Sequence, residues 1–329
     1  MIIIINSDFV QSQSKSIIML SNDSIEVGIL PEVGGRVVLL RKPGLKNILK
    51  SDERLWRNPE KQKPEISPFS DFKSFYGHIT WVGPQSEWWT HQALNEERRN
   101  KKADWPPDPY LTYGKYEIIC KSDTSIKMLG PVSPVSGVRL LKEISISNSG
   151  IVTITSTAEN IRDENVSWDL WMLTRLDGLA KAYVPIEENG ILELIKSDDE
   201  TCEATPYKIL NKYFTFNPSW PAKNKIEQVQ EAHLYPSAGY IAGFSEKQML
   251  LIRFEILDQN LIHPKHGLVE LYNFIGKEGD EKLLELEVHS AYKTLAPGEK
   301  MSLTETWKLY KYDGDENSAS QITFLESSL

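Results

Sequence analysis

The densest run of chemically useful side chains is LLELEVHSAY, Leu283 to Tyr292. Alternation along an extended strand sends Leu284, Leu286 and Val288 to one face and Glu285, Glu287 and His289 to the other. Same-face neighbours on a strand stand about 6.5–7 Å apart, so two carboxyls and an imidazole can bias one another's protonation once water is partly excluded. General acid–base chemistry needs groups of that kind. The same pattern also suits the solvated face of an amphipathic strand, and the residues alone leave both readings open. Paired carboxylates raise glycoside hydrolysis as well, but there the two groups flank the scissile bond from opposite sides. Glu285 and Glu287 point the same way, so a hydrolase would need a partner from another strand, such as Glu270 or Asp169.

A second concentration of candidates lies in residues 50–113, rich in Trp, Pro, His and charge and poor in alternation. It holds Trp56, Trp81, Trp88, Trp89 and Trp105, five of the nine tryptophans. Sugar rings present apolar C–H faces that suit flat aromatic surfaces. A satellite core beneath a long loop would use the same residues, and composition does not separate the two. Residues 71–110 are expected to border the main pocket, with Pro106 and Pro107 stiffening the loop. Other motifs are weaker. HPKH, His263 to His266, has two imidazoles three apart beside a proline, where no helix would align them, so no metal site is expected. Gly34 and Gly35 precede an arginine at a strand start and read as a tight turn rather than a phosphate loop. There is no GxSxG elbow. Cys120 and Cys202 show no metal or redox spacing, and their pairing is undecided by sequence.

The elements that must position these residues are strands. Ile25, Val27 and Ile29 alternate with Glu26 and Gly28, and Pro31–Gly35 turns the chain into Arg36–Leu40. Tyr116–Cys120, Val138–Ile146, Ile151–Glu159, Val166–Thr174, Tyr240–Phe244, Met249–Ile256, Val269–Phe274, Leu283–Val288 and Leu303–Tyr310 repeat the pattern between turn signals at Asn148–Gly150, Glu188–Gly190, Gly276–Asp280 and Pro297–Gly298. The clearest helix candidate is Ser86–Lys102. Many strands and few helical periods predict an all-β fold, a large antiparallel β-sandwich, as one domain over residues 1–329. The formal charge of −9 argues against nucleic acid as a partner. The run Ile2–Ile5 is too short and lacks the basic flank of a signal peptide, and no apolar stretch spans a bilayer, so a cytoplasmic location is expected.

Several segments in order resemble the galactose mutarotase-like superfamily. IEVGILPEVGGRVVLL (Ile25–Leu40) resembles its first hairpin, and VELYNF, LLELEVHSAY and LAPGEKMSLTETWKLY (Leu295–Tyr310) resemble its last strands. GHITWVGPQSEWW (Gly77–Trp89), WPPDPYLTYGKYEI (Trp105–Ile118), SGVRLLKEISI (Ser136–Ile146) and NVSWDLWMLTR (Asn165–Arg175) are similar to an uncharacterised family within it. The resemblance implies a supersandwich with a sugar-binding concave face and aldose 1-epimerase chemistry without a cofactor. It places Glu287 at the base position. The strand that carries the acid histidine in those enzymes resembles VSWDLWMLTR, which has none, leaving His78 or His289 as substitutes. Arg36, Trp81, Gln85, Trp88, Trp105, Asp108, Trp171, Glu270 and Glu285 are the expected contacts to a small sugar or oligosaccharide. A non-catalytic carbohydrate-binding module and a glycoside hydrolase or lyase are the alternatives.

Overall fold

The computed structural model describes residues 16–223, 225–276 and 282–329. The Ile2–Ile5 run, and residues 277–280 of the turn expected at Gly276–Asp280, lie outside the described residues. Most of the described strands form two large, mainly antiparallel sheets. In the first, Ile18–Asn22, Ile25–Leu30, Arg36–Arg41, His78–Gly83, Val166–Asp177, Lys282–His289, Val269–Gly276 and Glu227–Pro236 pair in that order, ending on the second half of Lys181–Lys196. In the second, Glu117–Lys121, Ser125–Val132, Val138–Ile146, Ile151–Asn160, Lys300–Lys311, Gln248–Arg253 and Tyr240–Ser245 follow one another to the first residues of Lys181–Lys196. That last strand therefore crosses between sheets, changing partners across residues 183–186 and then running with register shifts between Ile186 and Glu193 along Glu227–Pro236.

Apolar alternate residues from both sheets fill the space between them. Leu284, Leu286 and Val288 are buried there, as the alternation predicts. The sheets press closely: a Cβ on Gly243 of the second sheet would meet Leu176 Cδ1 at 2.6 Å and Leu286 Cδ2 at 3.2 Å of the first. Gly34 and Gly35 form the expected tight turn, with φ of 71° and 55°. Several strands have no readable alternation because both faces are covered. His78–Gly83 is buried at every residue.

The expected helix Ser86–Lys102 is replaced by a 3-10 turn at Gln85–Glu87 and a short helix at Glu96–Lys101 capped by Asn95. Trp88 and Trp89 are both fully buried, and their indole N–H groups donate to the Val82 and Pro106 carbonyls. The C-terminal helix Ser318–Ser328, unread in the sequence, packs Ile322 and Leu325 beside Phe244 and Tyr312. Both cysteines are free thiols. Among the described residues, no helix is long and apolar enough to cross a membrane.

The core between the sheets also holds Glu305, wholly buried, with one carboxylate oxygen accepting from Trp307 Nε1 at 2.7 Å and the other unpartnered. Burial pushes this carboxyl up to about 8, against the smaller opposing effect of the Trp307 bond. Its folded pKa lies above its unfolded one, so its contribution to stability is intact below about pH 4.5 and is lost as pH rises through 8. Glu305→Gln keeps the shape and removes the charge. Denaturant unfolding at pH 5 and pH 8 is expected to show the wild type losing on the order of 4 kcal/mol more than the variant across that interval. Equal losses would mean that Glu305 does not carry the effect.

Candidate active site

The central strands of the first sheet turn their other face to a pocket of about 460 Å³. Strand register builds its floor. Arg175 stands opposite Glu285 and Leu173 opposite Glu287; Tyr272 flanks Glu285 on the other side, and Glu231 lies beyond Tyr272. Trp81 stands opposite Trp171. Phe72, Ser74, Tyr76, Gln85 and Trp105 of the Trp- and Pro-rich segment wall it from one side. Trp81 meets Trp88 and Trp171 edge-on, each at 5.6 Å between ring centroids. Trp105, 48% exposed, packs against Phe72 at 4.6 Å and stands at the rim.

Glu287 is only 3% exposed and accepts a 2.5 Å hydrogen bond from Trp171 Nε1. Burial, followed by the carboxylates of Glu285, Glu270 and Glu231, holds it well above the ordinary carboxylate range, with only the Trp171 bond opposing. Glu285 accepts from Arg175 Nε at 2.5 Å. Burial outweighs that guanidinium and leaves Glu285 raised as well. Arg175 also lies 5.3 Å from the centre of the Trp81 ring.

Behind this floor is a second, fully enclosed set of charges. The His266 and His289 rings lie 4.1 Å apart, centroid to centroid, with Glu270 at one edge and Asp169 at the other. Burial opposes ionisation of Glu270, yet His289 and His266 override it and hold the carboxyl well below its usual range. Burial likewise opposes charge on His289, but Glu270 and Asp169 prevail and push it up to about 10.

Of the residues expected from sequence, Trp81, Gln85, Trp105, Trp171, Glu285 and Glu287 come together around the pocket. Others do not. Trp88 stacks behind Trp171 at 5.8 Å, and His289 and Glu270 belong to the enclosed set. His78 points between the sheets, bonded to Thr174 Oγ1 at 3.0 Å and edge-on to Trp307. Burial, with the charges of Lys142, Arg175 and Arg36, holds it well below its usual range. Arg36 is buried and donates to the carbonyls of Tyr76 and Thr112; burial and the nearby Arg175 bring it down to about 9. Asp108 caps the helix Pro109–Tyr113 and accepts from Ser133 and Ser136. Neither Arg36 nor Asp108 lines the pocket; both hold the loop in place. Asp169 and Glu270, the carboxylates a hydrolase would have borrowed, face the histidines instead of the pocket.

The sequence reading missed Arg175 and Glu231 as pocket residues. Arg175 was in reach, because Trp171, Leu173 and Arg175 share one face of a recognised strand segment. Glu231 belongs to Glu227–Pro236, where EQVQEAHLYP puts Gln228 and Gln230 at buried positions on the face opposite Glu231 and so lacks an apolar stripe. His266 is half of the HPKH motif, carried inward by the turn before Val269.

A family model described as a domain of unknown function, DUF4380, matches residues 16–310. The chain belongs to that family. Comparison with curated proteins finds no match. Among solved structures, the DUF4380 chain is similar to a galactose mutarotase-like protein from Lactobacillus casei, with 9% identity over 89% of this chain and 100% of the other and a TM-score of 0.52. A galactose mutarotase-like protein from Clostridium acetobutylicum shares 13% identity over 90% and 95%, with a TM-score of 0.51. A galactose mutarotase related enzyme from Lactobacillus acidophilus shares 8% over 92% and 100%, with a TM-score of 0.50. At such identities the likeness is one of fold alone.

The Arg175–Glu285 pair is buried on both sides, with side chains 4% and 13% exposed. Removing one partner strands the other charge, so Arg175→Met is expected to cost about 3–5 kcal/mol in denaturant unfolding. Adding Glu285→Gln should return most of that loss. If the double variant is no more stable than the single one, the pair is not the source.

Proposed function

We propose that this pocket binds a small sugar and interconverts its anomers by proton exchange with Glu287, an aldose 1-epimerase-type reaction. One observation carries the reading: a single pocket combines aromatic walls from Trp81, Trp105 and Trp171 with a buried carboxyl at its floor. Its volume falls within the roughly 300–1,000 Å³ typical of small-molecule sites. The indole N–H of Trp81 is buried without a partner, and a sugar hydroxyl would satisfy it.

Among the described residues, no histidine lines the pocket, so the imidazole-as-acid arrangement implied by the resemblance does not transfer. A protonated carboxyl carries one donor and one acceptor. Glu287 in that form can give its proton to the ring oxygen while its other oxygen takes the proton of the anomeric hydroxyl. The bond between the anomeric carbon and the ring oxygen breaks with its electron pair on the oxygen, leaving an open-chain aldehyde and Glu287 again protonated. Rotation about the adjacent carbon–carbon bond and reversal of the transfer close the other anomer. The missing histidine also favours a second reading, in which the pocket binds sugar without turnover.

Anomer exchange measured by magnetisation transfer across common hexoses and pentoses separates the two. Glu287→Gln is expected to slow exchange by roughly 10²–10⁴ while sugar affinity largely survives. Wild-type protein that binds a sugar without accelerating its exchange leaves only the binding reading. Protein that binds none removes both.

A further inference from the structure

The histidine–carboxylate set behind the pocket is arranged like a metal site. Each imidazole faces Glu270 with one nitrogen and Asp169 with the other. His266 Nδ1 lies 2.8 Å from Glu270 Oε1, and His289 Nε2 lies 3.4 Å from Glu270 Oε2. On the opposite edges, His289 Nδ1 is 3.4 Å from Asp169 Oδ1, and His266 Nε2 is 4.0 Å from Asp169 Oδ2. One donor atom each from Asp169, His266 and His289 lies within 4.8 Å of the others. All three side chains are buried, and both Asp169 Oδ2 and His266 Nε2 lack hydrogen-bond partners.

Glu270 resembles the carboxylate that commonly receives the outer N–H of a metal-bound histidine. With Glu270 accepting from His266 Nδ1–H, the lone pair of His266 Nε2 turns toward Asp169, whose Oδ2 is likewise unpartnered. A neutral His289 can present Nδ1 to an ion there in place of its 3.4 Å hydrogen bond to Asp169 Oδ1. Two buried acceptors facing each other, His266 Nε2 and Asp169 Oδ2 at 4.0 Å, are satisfied by a cation between them. The neighbouring strand leaves room on that side: a Cβ on Gly83 would come within 2.5 Å of Asp169 Oδ1 and 3.0 Å of His266 Nε2.

We propose that Asp169, His266 and His289 bind one divalent transition-metal ion of the zinc class, with Glu270 orienting both imidazoles. Two nitrogens and one oxygen form a donor set suited to Zn²⁺ and, as a spectroscopic substitute, Co²⁺. Zinc bonds of about 2.0–2.2 Å require the donors to draw together slightly from these spacings. The ion would tie the turn carrying His266 to the strands carrying Asp169 and His289. It would also set a fixed positive charge behind Glu287, since Glu270, Glu287 and His289 offer donor atoms within 4.8 Å of one another.

The test uses the whole protein, stripped with a chelator, checked for its fold by circular dichroism, and titrated with Zn²⁺ alone by calorimetry and Co²⁺ alone by visible absorption. The expected result is one ion per chain, a higher unfolding temperature and low-coordinate cobalt bands. Asp169→Asn and His266→Ala should each weaken binding by more than about a hundredfold, and Glu270→Gln by about 10–100-fold with one site kept. His263→Ala, which alters the partly buried HPKH histidine that packs on Tyr292 and offers no donor to the Asp169 cluster, should bind as the wild type does. Folded wild-type protein that takes up neither ion overturns the proposal without reference to any variant. So does uptake that survives both Asp169→Asn and His266→Ala, which would put the ion elsewhere. Neither outcome bears on anomer exchange, so this proposal and the sugar reading fail separately.

Discussion

The strand Lys282–His289 imposes one constraint on everything around it. Leu284, Leu286 and Val288 occupy the space between the sheets, so Glu285, Glu287 and His289 must share the opposite face, which neighbouring strands and the Trp-rich loop close off from bulk water. Three ionisable groups held out of water require compensation. Each is met differently: Glu285 by the Arg175 guanidinium, Glu287 by the Trp171 N–H and a preference for its neutral form, His289 by Glu270 and Asp169. The distribution of charge across the site follows from which partner the register supplies at each step.

The loop system then depends on groups that never touch the pocket. Arg36 reaches from the first hairpin to the carbonyls of Tyr76 and Thr112. Asp108 ties the following helix to Ser133 and Ser136, and Tyr113 exchanges hydrogen bonds with the backbone of Lys73. Trp88 and Trp89 anchor the middle of the segment by burial. With those anchors set, Phe72, Trp81 and Trp105 meet one another edge-on, a geometry favoured by aromatic quadrupoles. The wall of the pocket is therefore a consequence of a hydrogen-bonded frame one layer deeper.

The same frame separates two environments a few ångströms apart. Trp171 stacks on His289 at 5.1 Å while donating to Glu287. Its indole therefore touches both the carboxyl at the pocket floor and the enclosed imidazole–carboxylate set. On one side a carboxyl is pushed toward its neutral form by neighbouring carboxylates; on the other, a carboxylate is held charged by histidines. Glu287 and Glu270 face each other across a strand pair, yet shift in opposite directions, because burial and nearby acids raise one while histidines outweigh burial at the other.

Strand alternation in the sequence was enough to determine the sheet architecture and the sidedness of Lys282–His289, because a period of two is a local property of an extended chain. It also identified Glu285 and Glu287, since alternation against three inward apolar residues leaves them one face. The aromatic density of residues 50–113 marked the loop that borders the pocket, but not which indoles would face it. Trp81 and Trp105 line the cavity while Trp88 and Trp89 lie beneath, and only the packing of that loop on the sheet separates them. Arg36 and Asp108 read as ligand contacts, and His78 as a candidate acid, because a buried polar residue and a functional residue look alike until their partners are known. Whether the HPKH motif mattered was likewise undecidable locally: His266 meets His289, Glu270 and Asp169 only through strand pairing and the turn into Val269–Gly276. Register between strands far apart in sequence, and the desolvation it enforces, belonged to the tertiary structure alone.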